Sequence, residues 1–175
     1  MSGEAPAAVE WLDVVDAENR VVGRAPRDVV HRDGHRHRSV HMLLLDGRGR
    51  VFVQRRSETK DTNPGLWDSS AAGHVDSGES APDAAVRELR EELGVRVAPG
   101  ALVRTGGLDP RPETGLEFVE IYRVVSDGPL TLEADEIAEG RWLEPDELAA
   151  WMARAPADFT DVFHAVWASA RPPGP

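Results

Sequence analysis

The chain has 175 residues, a formal net charge of −11 and no cysteine. The missing cysteines exclude disulfides, thiolate zinc sites and cysteine nucleophiles. The acidic charge argues against nucleic-acid binding, because phosphate contacts need an excess of lysine and arginine.

The length predicts a single domain over residues 1–175, with disordered tails at residues 1–8 and 171–175. No apolar run reaches the ~18 residues that a membrane span needs. The first residues also lack the basic and apolar regions of a signal peptide. We therefore expect a cytoplasmic protein without a membrane partner.

The first predicted elements are a short hairpin and a helical turn. Residues 9–15 alternate loosely in polarity, and residues 21–23 pair with them across a turn at residues 16–19. Residues 27–31 are typical of a helical turn. The run from 31 to 41 that follows carries four histidines among its eleven residues. Such clusters are found in metal sites, but the sequence alone favours a polar loop that enters a strand with its histidines at the surface.

Two apolar strands are predicted next, at residues 40–45 and 51–54, joined by a glycine-rich turn at residues 46–49. Three cations, Arg55, Arg56 and Lys60, come just past the second strand. They are suited to receiving phosphate oxygens, and they are equally typical of a basic surface loop. A turn at residues 63–65 then leads towards the most informative stretch of the chain.

Residues 73–79 are predicted to form a loop that feeds a helix over residues 80–93. Ser80 is placed to cap the helix with Asp83 as its return carboxylate, Pro82 fits the first turn, and Gly94 ends the helix. A helical wheel gathers the apolar residues on one face that must meet a core. These residues are Ala85, Val86, Leu89 and Leu93.

The same helix carries Glu88, Glu91 and Glu92 on the flank of its apolar face. Glu88 and Glu92 are helical neighbours whose repulsion costs about 0.2–0.5 kcal/mol, whereas Arg87 stands four residues before Glu91 and relieves it. Two interpretations follow from the residues alone. The acidic side chains form either a solvated face with ion pairs or a site for a hard divalent cation such as Mg²⁺, which prefers oxygen ligands and shares them with substrate phosphates.

The second half of the chain is predicted to contain strands at residues 101–108, 116–125 and 139–143. Two helices follow, one opened by Pro145 and one over residues 158–169 with an aromatic stripe typical of core packing. Strands and helices are interleaved along the chain. This order predicts an α/β fold in which helices cover both faces of a mixed sheet.

The loop and helix at residues 73–95 resemble the Nudix box, the signature of a hydrolase family. The box runs glycine, five residues, glutamate, seven residues, then Arg-Glu-apolar-any-Glu-Glu-any-Gly-apolar. Every specified position is filled here, by Gly73, Glu79, Arg87, Glu88, Leu89, Glu91, Glu92, Gly94 and Val95. The resemblance implies the family fold, an α/β/α sandwich around a mixed central β-sheet, and the cleavage of a nucleoside diphosphate linked to a further group X.

Carried over by position, the resemblance implies a magnesium cofactor, with Mn²⁺ as a substitute. The implied ligands are Glu88, Glu91 and Glu92, together with the carbonyl of Ala72. The same resemblance implies a structural role for the remaining box residues, which would brace the loop against the helix. These are Gly73, Glu79, Arg87 and Gly94.

Hydrolysis of a phosphoanhydride also needs an activated water. The proton acceptor is either a glutamate of the box or one from the later strand, for which Glu117 is the first candidate and Glu120 the next. A small diphosphate substrate would be bound by Arg55, Arg56 and Lys60. The oligomeric state stays open, with a homodimer as one possibility.

Residues 37–95 also resemble the branch related to type 1 isopentenyl-diphosphate isomerase. That enzyme needs a cysteine where this chain has Ala72, so we expect hydrolysis and not isomerisation. His37 and His74 match isomerase metal ligands, and His31 nearly does, which leaves a second metal site open. An isoprenoid-diphosphate hydrolase and a non-catalytic nucleotide-sensing module are the alternative functions.

Overall fold

The computed structural model describes residues 9–172. The predicted tail at residues 1–8 and the last three residues of the predicted tail at 171–175 lie outside the described residues. Arg171 and Pro172 are described, and Arg171 lies against the last helix. The Arg171 guanidinium lies 5.9 Å from the centre of the Trp167 ring, and Pro172 is buried.

Nine strands and four α-helices make up this part of the chain. The strands are β1 (Trp11–Val15), β2 (Val21–Pro26), β3 (His37–Leu45), β4 (Val51–Arg56), β5 (Trp67–Asp68), β6 (Ala71–His74), β7 (Val103–Leu108), β8 (Glu117–Val125) and β9 (Ile137–Leu143). The helices are α1 (Arg27–Asp33), α2 (Ala81–Leu93), α3 (Pro145–Arg154) and α4 (Asp161–Ala170).

The predicted mixed sheet is confirmed. Strands β1 and β2 form a separate antiparallel hairpin, and the other seven strands form one sheet in the order β5-β4-β3-β8-β7. Strand β6 also pairs with β3, and β9 with β4. The β3–β8 pair is parallel, whereas β4, β6 and β7 make antiparallel pairs. Strand β3 therefore lies at the centre of the sheet.

Both faces of β3 are covered, which makes the fold an α/β/α sandwich. Met42 and Leu44 belong to a core that includes Leu89 of α2. Their neighbour Leu43 belongs to a second core that includes Leu148 of α3 and Phe163 of α4. Strands buried on both faces are continuous apolar runs without polar alternation, and this explains the pattern at residues 40–45.

Helix α2 has the ends that its sequence predicts. Ser80 is the N-cap, with its Oγ accepting a hydrogen bond from the Asp83 backbone, and Gly94 ends the helix with a φ of 68°. The predicted apolar face is shifted slightly, because Ala84 is fully buried and Val86 is only half-buried. Side chains of a helix lean towards its N-terminus, so a face drawn from angular position alone is displaced.

The favoured interpretation of residues 31–41 as a loop with surface histidines is wrong. His31 lies in α1, and β3 begins at His37. His37 and His41 are buried, with 0% and 4% of their surface exposed, because the strand that carries them is covered on both faces.

Within residues 9–172, none of the helices is both long and apolar enough to traverse a membrane.

Candidate functional site

A cleft of about 860 Å³ collects most of the residues that the sequence singled out. Helix α2 contributes three glutamates, strand β6 contributes its last three residues, and β8 contributes its first. The loop after β4 supplies Lys60, and β4 itself supplies Arg56. The lining residues in this group are Glu88, Glu91, Glu92, Ala72, Gly73, His74, Glu117, Arg56 and Lys60.

Gly73 lets α2 approach β6 closely. A Cβ atom at this position would lie 2.1 Å from Glu88 Oε1 and 2.2 Å from Glu88 Cδ, far inside van der Waals contact. A side chain at position 73 would therefore displace the Glu88 carboxylate from its present place against β6. This contact places the first box residue against the first metal-ligand candidate of the helix.

Arg87 ties the loop at residues 73–79 to α2. Its guanidinium donates to both carboxylate oxygens of Glu79 at 3.0 Å and to the His74 carbonyl at 2.9 Å. It also donates to Glu88 Oε1 at 2.6 Å and to Glu91 Oε2 at 3.4 Å. The wheel paired Arg87 with Glu91 only. The long arginine side chain also reaches its direct neighbour, which residue spacing does not predict.

Glu88 and Glu92 are carboxylates in an environment with too little positive charge. Burial raises the pKa of Glu88 to about 7, although Arg87 opposes the shift. Burial, and then the charge of Glu88, raise the pKa of Glu92 well above its ordinary value. Glu91 stands at the rim with 49% of its side chain exposed. A hard cation would supply the missing charge, so this donor set fits a metal such as Mg²⁺.

Sequence reasoning missed Gln54, which fixes the orientation of Glu92. Its Nε2 donates to Glu92 Oε2 at 2.9 Å, and both side chains are buried. The sequence signal that could have identified Gln54 is its position as a polar residue at the end of an apolar strand. His41 was also missed as a cleft residue, and its Nδ1 lies 2.8 Å from Ser69 Oγ.

The three predicted substrate-binding cations separate in the structure. Arg56 and Lys60 line the cleft, where Arg56 donates to the Thr62 carbonyl at 3.1 Å and Lys60 forms an ion pair with Glu136. Arg55 is not among the lining residues. Its guanidinium lies 3.5 Å from the carboxylates of Glu58 and Glu139, as expected for a neighbour that points to the other face of a strand.

Glu117 and three histidines form a second group, in which Glu117, His31 and His74 line the cleft and His37 is fully buried. His31 Nε2 lies 3.1 Å from His74 Nε2, and Glu117 Oε1 lies 3.4 Å from His37 Nε2 and 3.5 Å from His74 Nε2. The parallel register places His37 opposite Glu117, and β6 brings His74 opposite Ser39. The sheet therefore gathers residues that are far apart in the sequence.

The pKa values of Glu117, His74 and His31 are shifted from their ordinary values. Burial alone would raise the pKa of Glu117. The polar contacts of His37 and His74 outweigh burial and hold this pKa well below its ordinary value. Burial also opposes the charge of His74, yet hydrogen bonds to Glu10 and Glu117 raise its pKa to about 9. Burial and the neighbouring imidazoles lower the pKa of His31 to about 4.

Glu120, the second candidate on β8, faces away from this group. Its Oε2 accepts hydrogen bonds from Arg104 Nε at 3.1 Å and from the Tyr122 hydroxyl at 2.6 Å. It does not line the cleft. Of the two glutamates proposed from this strand, Glu117 therefore lines the cleft with the α2 carboxylates and Glu120 does not.

Comparison with known proteins adds independent information. Residues 35–163 match the family described as the NUDIX domain. A protein named Nudix hydrolase YfcD from Escherichia coli strain K12 is 38% identical over 144 residues, which cover 82% of this chain and 79% of that protein. A Nudix hydrolase of Pseudomonas aeruginosa is 38% identical over 156 residues, covering 89% and 90%. The crystal structure of DR0079 from Deinococcus radiodurans superimposes with a TM-score of 0.73 at 30% identity, covering 91% of this chain and 99% of that one.

Proposed function

The chain belongs to the Nudix hydrolase family, and from that premise we propose that it is a magnesium-dependent hydrolase of diphosphates. The bond cleaved is the phosphoanhydride of a nucleoside diphosphate linked to a group X, or of a related organic diphosphate. The observation that carries this proposal is the group of α2 carboxylates, which line the same cleft as Arg56 and Lys60.

Glu88, Glu91, Glu92 and the Ala72 carbonyl are the residues that would hold the metal. Bound there, Mg²⁺ supplies neutralisation of the phosphoryl oxygens and an activated water. The raised pKa values of Glu88 and Glu92 support this assignment, because carboxylates that resist ionisation in isolation gain most from a cation. Mn²⁺ fits the same oxygen ligands.

The protein itself supplies positioning and charge. Arg56 and Lys60 would bind the diphosphate oxygens, for which arginine forms charge-assisted hydrogen bonds. Gln54 holds the Glu92 carboxylate in one orientation, and the Glu79–Arg87 pair holds the loop against α2. This fixed arrangement keeps the carboxylates in place as the substrate enters.

A carboxylate of the cleft would accept the proton of the attacking water. The glutamates of α2 and Glu117 of β8 all line the cleft, so the candidates named from the sequence are positioned there. Glu120 does not line it.

A second recess of about 470 Å³ adjoins the cleft, with Glu113, Thr114 and Asp161 lining both. Leu108 and Ala165 give it apolar surface. This recess is suited to the X group, and its apolar part is the reason to keep an isoprenoid diphosphate as a second candidate substrate.

The decisive experiment is a phosphate-release screen with and without magnesium. Its substrates are nucleotide sugars, dinucleotide cofactors, nucleoside triphosphates and isoprenoid diphosphates, with coupled phosphatase where a monoester is the product. We expect magnesium-dependent turnover of at least one diphosphate by the wild type and its loss in Glu91→Gln. Glu91 is chosen because it is half-exposed, so the change leaves the fold intact. Tight binding of a diphosphate without any turnover would instead support a sensing module.

A further inference from the structure

We propose that Asp68 is a positioning residue of the diphosphate site, whose buried carboxylate holds the Arg56 guanidinium where it can receive phosphate oxygens. Asp68 belongs to β5 and Arg56 to β4, and both line the cleft. This inference rests on the proposed function, in which Arg56 binds the diphosphate.

Strand pairing brings the two side chains to one face of the sheet. Asp68 lies directly opposite Gln54 in the antiparallel pair of β5 with β4, and opposite residues of such a pair share a face. Arg56 is two residues beyond Gln54 on β4, so it lies on the same face as the diagonal neighbour of Asp68. Gln54 donates a hydrogen bond to Glu92. One face of this strand pair therefore carries the substrate cation, its carboxylate partner and the support of a metal-ligand candidate.

The Asp68 carboxylate is buried and needs a positively charged partner. Only 4% of its side chain is exposed, and a buried carboxylate without a cation is costly. Its Oδ2 lies 3.7 Å from Arg56 Nη1, and its Oδ1 accepts a hydrogen bond from the Ser69 backbone N–H at 2.7 Å. Arg56 thus balances the charge of Asp68, while the Ser69 backbone fixes the orientation of the carboxylate.

His41 does not replace Arg56 as this partner. Its Nδ1 lies 3.9 Å from Asp68 Oδ1, but the same nitrogen is closer to Ser69 Oγ, at 2.8 Å. Burial lowers the pKa of His41, although the charge of Asp68 opposes the shift, so the imidazole is neutral near pH 7. Among the residues that the structure describes, no arginine or lysine other than Arg56 lies within 4.0 Å of the Asp68 carboxylate.

Arg56 keeps hydrogen-bond donors for a substrate in this arrangement. Its Nε donates to the Thr62 carbonyl at 3.1 Å, and its Nη2 donates to the Thr62 hydroxyl at 3.4 Å. A guanidinium has five N–H donors in a rigid fork, so donors remain for two phosphate oxygens. Thr62 and Asp68 together hold the guanidinium at the edge of the cleft without using all of its donors.

The acidic cleft makes this support necessary. Glu88, Glu92 and Glu136 line the same cleft, and an Arg56 side chain that is free to move could pair with them. Such a pair would compete with both the metal and the substrate. Fixing a side chain with many rotamers before the substrate arrives is worth about 3–10-fold in affinity, and Asp68 provides that fixation.

The test is a double-mutant cycle on KM for a diphosphate that the wild type hydrolyses, at saturating magnesium. Asp68→Asn keeps the shape of the side chain and can still accept the Ser69 hydrogen bond, so it should raise KM by about 3–10-fold and leave kcat unchanged. In an Arg56→Ala background the same change should raise KM no further, because Asp68 acts through Arg56. Asp46→Asn is the matched control. Asp46 is buried and lies 2.7 Å from Arg50, but it does not line the cleft, so its replacement should leave KM unchanged.

Thermal unfolding gives a second readout that needs no turnover. Arg56→Ala should lower Tm by about 4–8 °C, because it leaves the Asp68 carboxylate buried without a cation. Adding Asp68→Asn to Arg56→Ala should recover most of this loss. If Asp68→Asn alone does not fold, the Tm of Arg56→Ala decides, and an unchanged Tm would show that the two charges are not paired.

Three kinetic results would overturn the proposal. The first is an unchanged KM in a folded Asp68→Asn variant, which would leave Asp68 a purely structural role. The second is an equal rise in KM with and without Arg56. The third is a higher magnesium requirement in place of a higher KM, which would make Asp68 a metal ligand. Absence of turnover by the wild type would instead be a failure of the proposed function, and the Tm cycle would still report whether Asp68 and Arg56 are paired.

Discussion

The buried carboxylate of Glu88 makes the stability of the metal-free protein depend on pH, and Glu88→Gln should remove the part of that dependence that comes from Glu88. Burial raises the pKa of Glu88 from 4.5 to about 7, and only 13% of the side chain is exposed. A carboxyl group with a raised pKa holds its proton more tightly in the folded chain than in the unfolded one. Its contribution to stability is therefore complete below pH 4.5 and is lost as the pH rises to about 7.

The size of this effect follows from the shift. Each pKa unit corresponds to about 1.4 kcal/mol, so a rise from 4.5 to about 7 amounts to ~3 kcal/mol. For a chain of this length, 1 kcal/mol moves Tm by about 2–4 °C, which gives ~6–12 °C for Glu88. His31, with its pKa lowered to about 4, and His74, with its pKa raised to about 9, titrate in overlapping ranges. Both remain in the variant. The charge of Glu88 also raises the pKa of Glu92, so the difference between the two proteins measures Glu88 together with its coupling to Glu92.

The assay is thermal unfolding of wild type and Glu88→Gln in the presence of a chelator, at a series of pH values from about 4.5 to about 7. The variant should unfold at nearly the same temperature as the wild type at the acidic end and gain ~6–12 °C over it near neutrality. Magnesium should narrow the gap at neutral pH by neutralising the carboxylate of the wild type. Glu58→Gln, whose side chain is 71% exposed, is the control and should follow the wild type. A difference in Tm that stays constant across the pH range would refute the reasoning.

Three further changes test the cleft. Glu92→Gln should lower kcat by about 100-fold or more. It should not reduce stability, because the amide removes a buried charge and can still accept the hydrogen bond from Gln54. Full activity with magnesium would contradict the metal assignment. Arg56→Ala should raise KM by about tenfold or more, which corresponds to the loss of one charge-assisted hydrogen bond. Arg55→Ala should leave KM unchanged, because Arg55 does not line the cleft. Equal effects of the two variants on KM in a steady-state assay would contradict the assignment of substrate binding to Arg56 alone of this pair. Gly73→Ala should push the Glu88 carboxylate out of place and reduce magnesium affinity in calorimetry, at a stability cost of about 1–3 kcal/mol; unchanged affinity would mean that the close approach is not needed.

Local signals predicted the central helix well. The ends of α2 depend on Ser80 and Gly94, which act within one turn of the helix, so the sequence contains all the information that fixes them. The Glu79–Arg87 pair was also within reach, because both residues belong to one continuous loop and helix. Features of this kind are encoded over a few residues and do not depend on the rest of the fold.

The histidines show why features that depend on strand pairing could not be predicted from the sequence. His37 is polar, and polar residues are usually exposed, so the stretch around it favoured a surface loop. Its burial follows from the central position of β3, which is set by pairings with β8 and β6. Neither pairing can be predicted from residues near His37. The different positions of Arg55 and Arg56 were unpredictable for a similar reason. Successive side chains of a strand point to opposite faces, but this rule applies to the two arginines only once both are known to lie in β4.

Under the proposed function, the charge of the cleft links metal binding to substrate binding. Among the described residues, ten carboxylates line the cleft and three arginine or lysine side chains do so, and the whole chain carries a net charge of −11. A diphosphate entering without cations would be repelled, because like charges at close range cost more in a low-dielectric cleft than in water. A diphosphate substrate would therefore need cations from solution to arrive before it or with it. The residues that would repel a bare diphosphate are those proposed to hold its counter-ions, so the proposed function predicts that the acidic cleft selects the metal complex of the substrate.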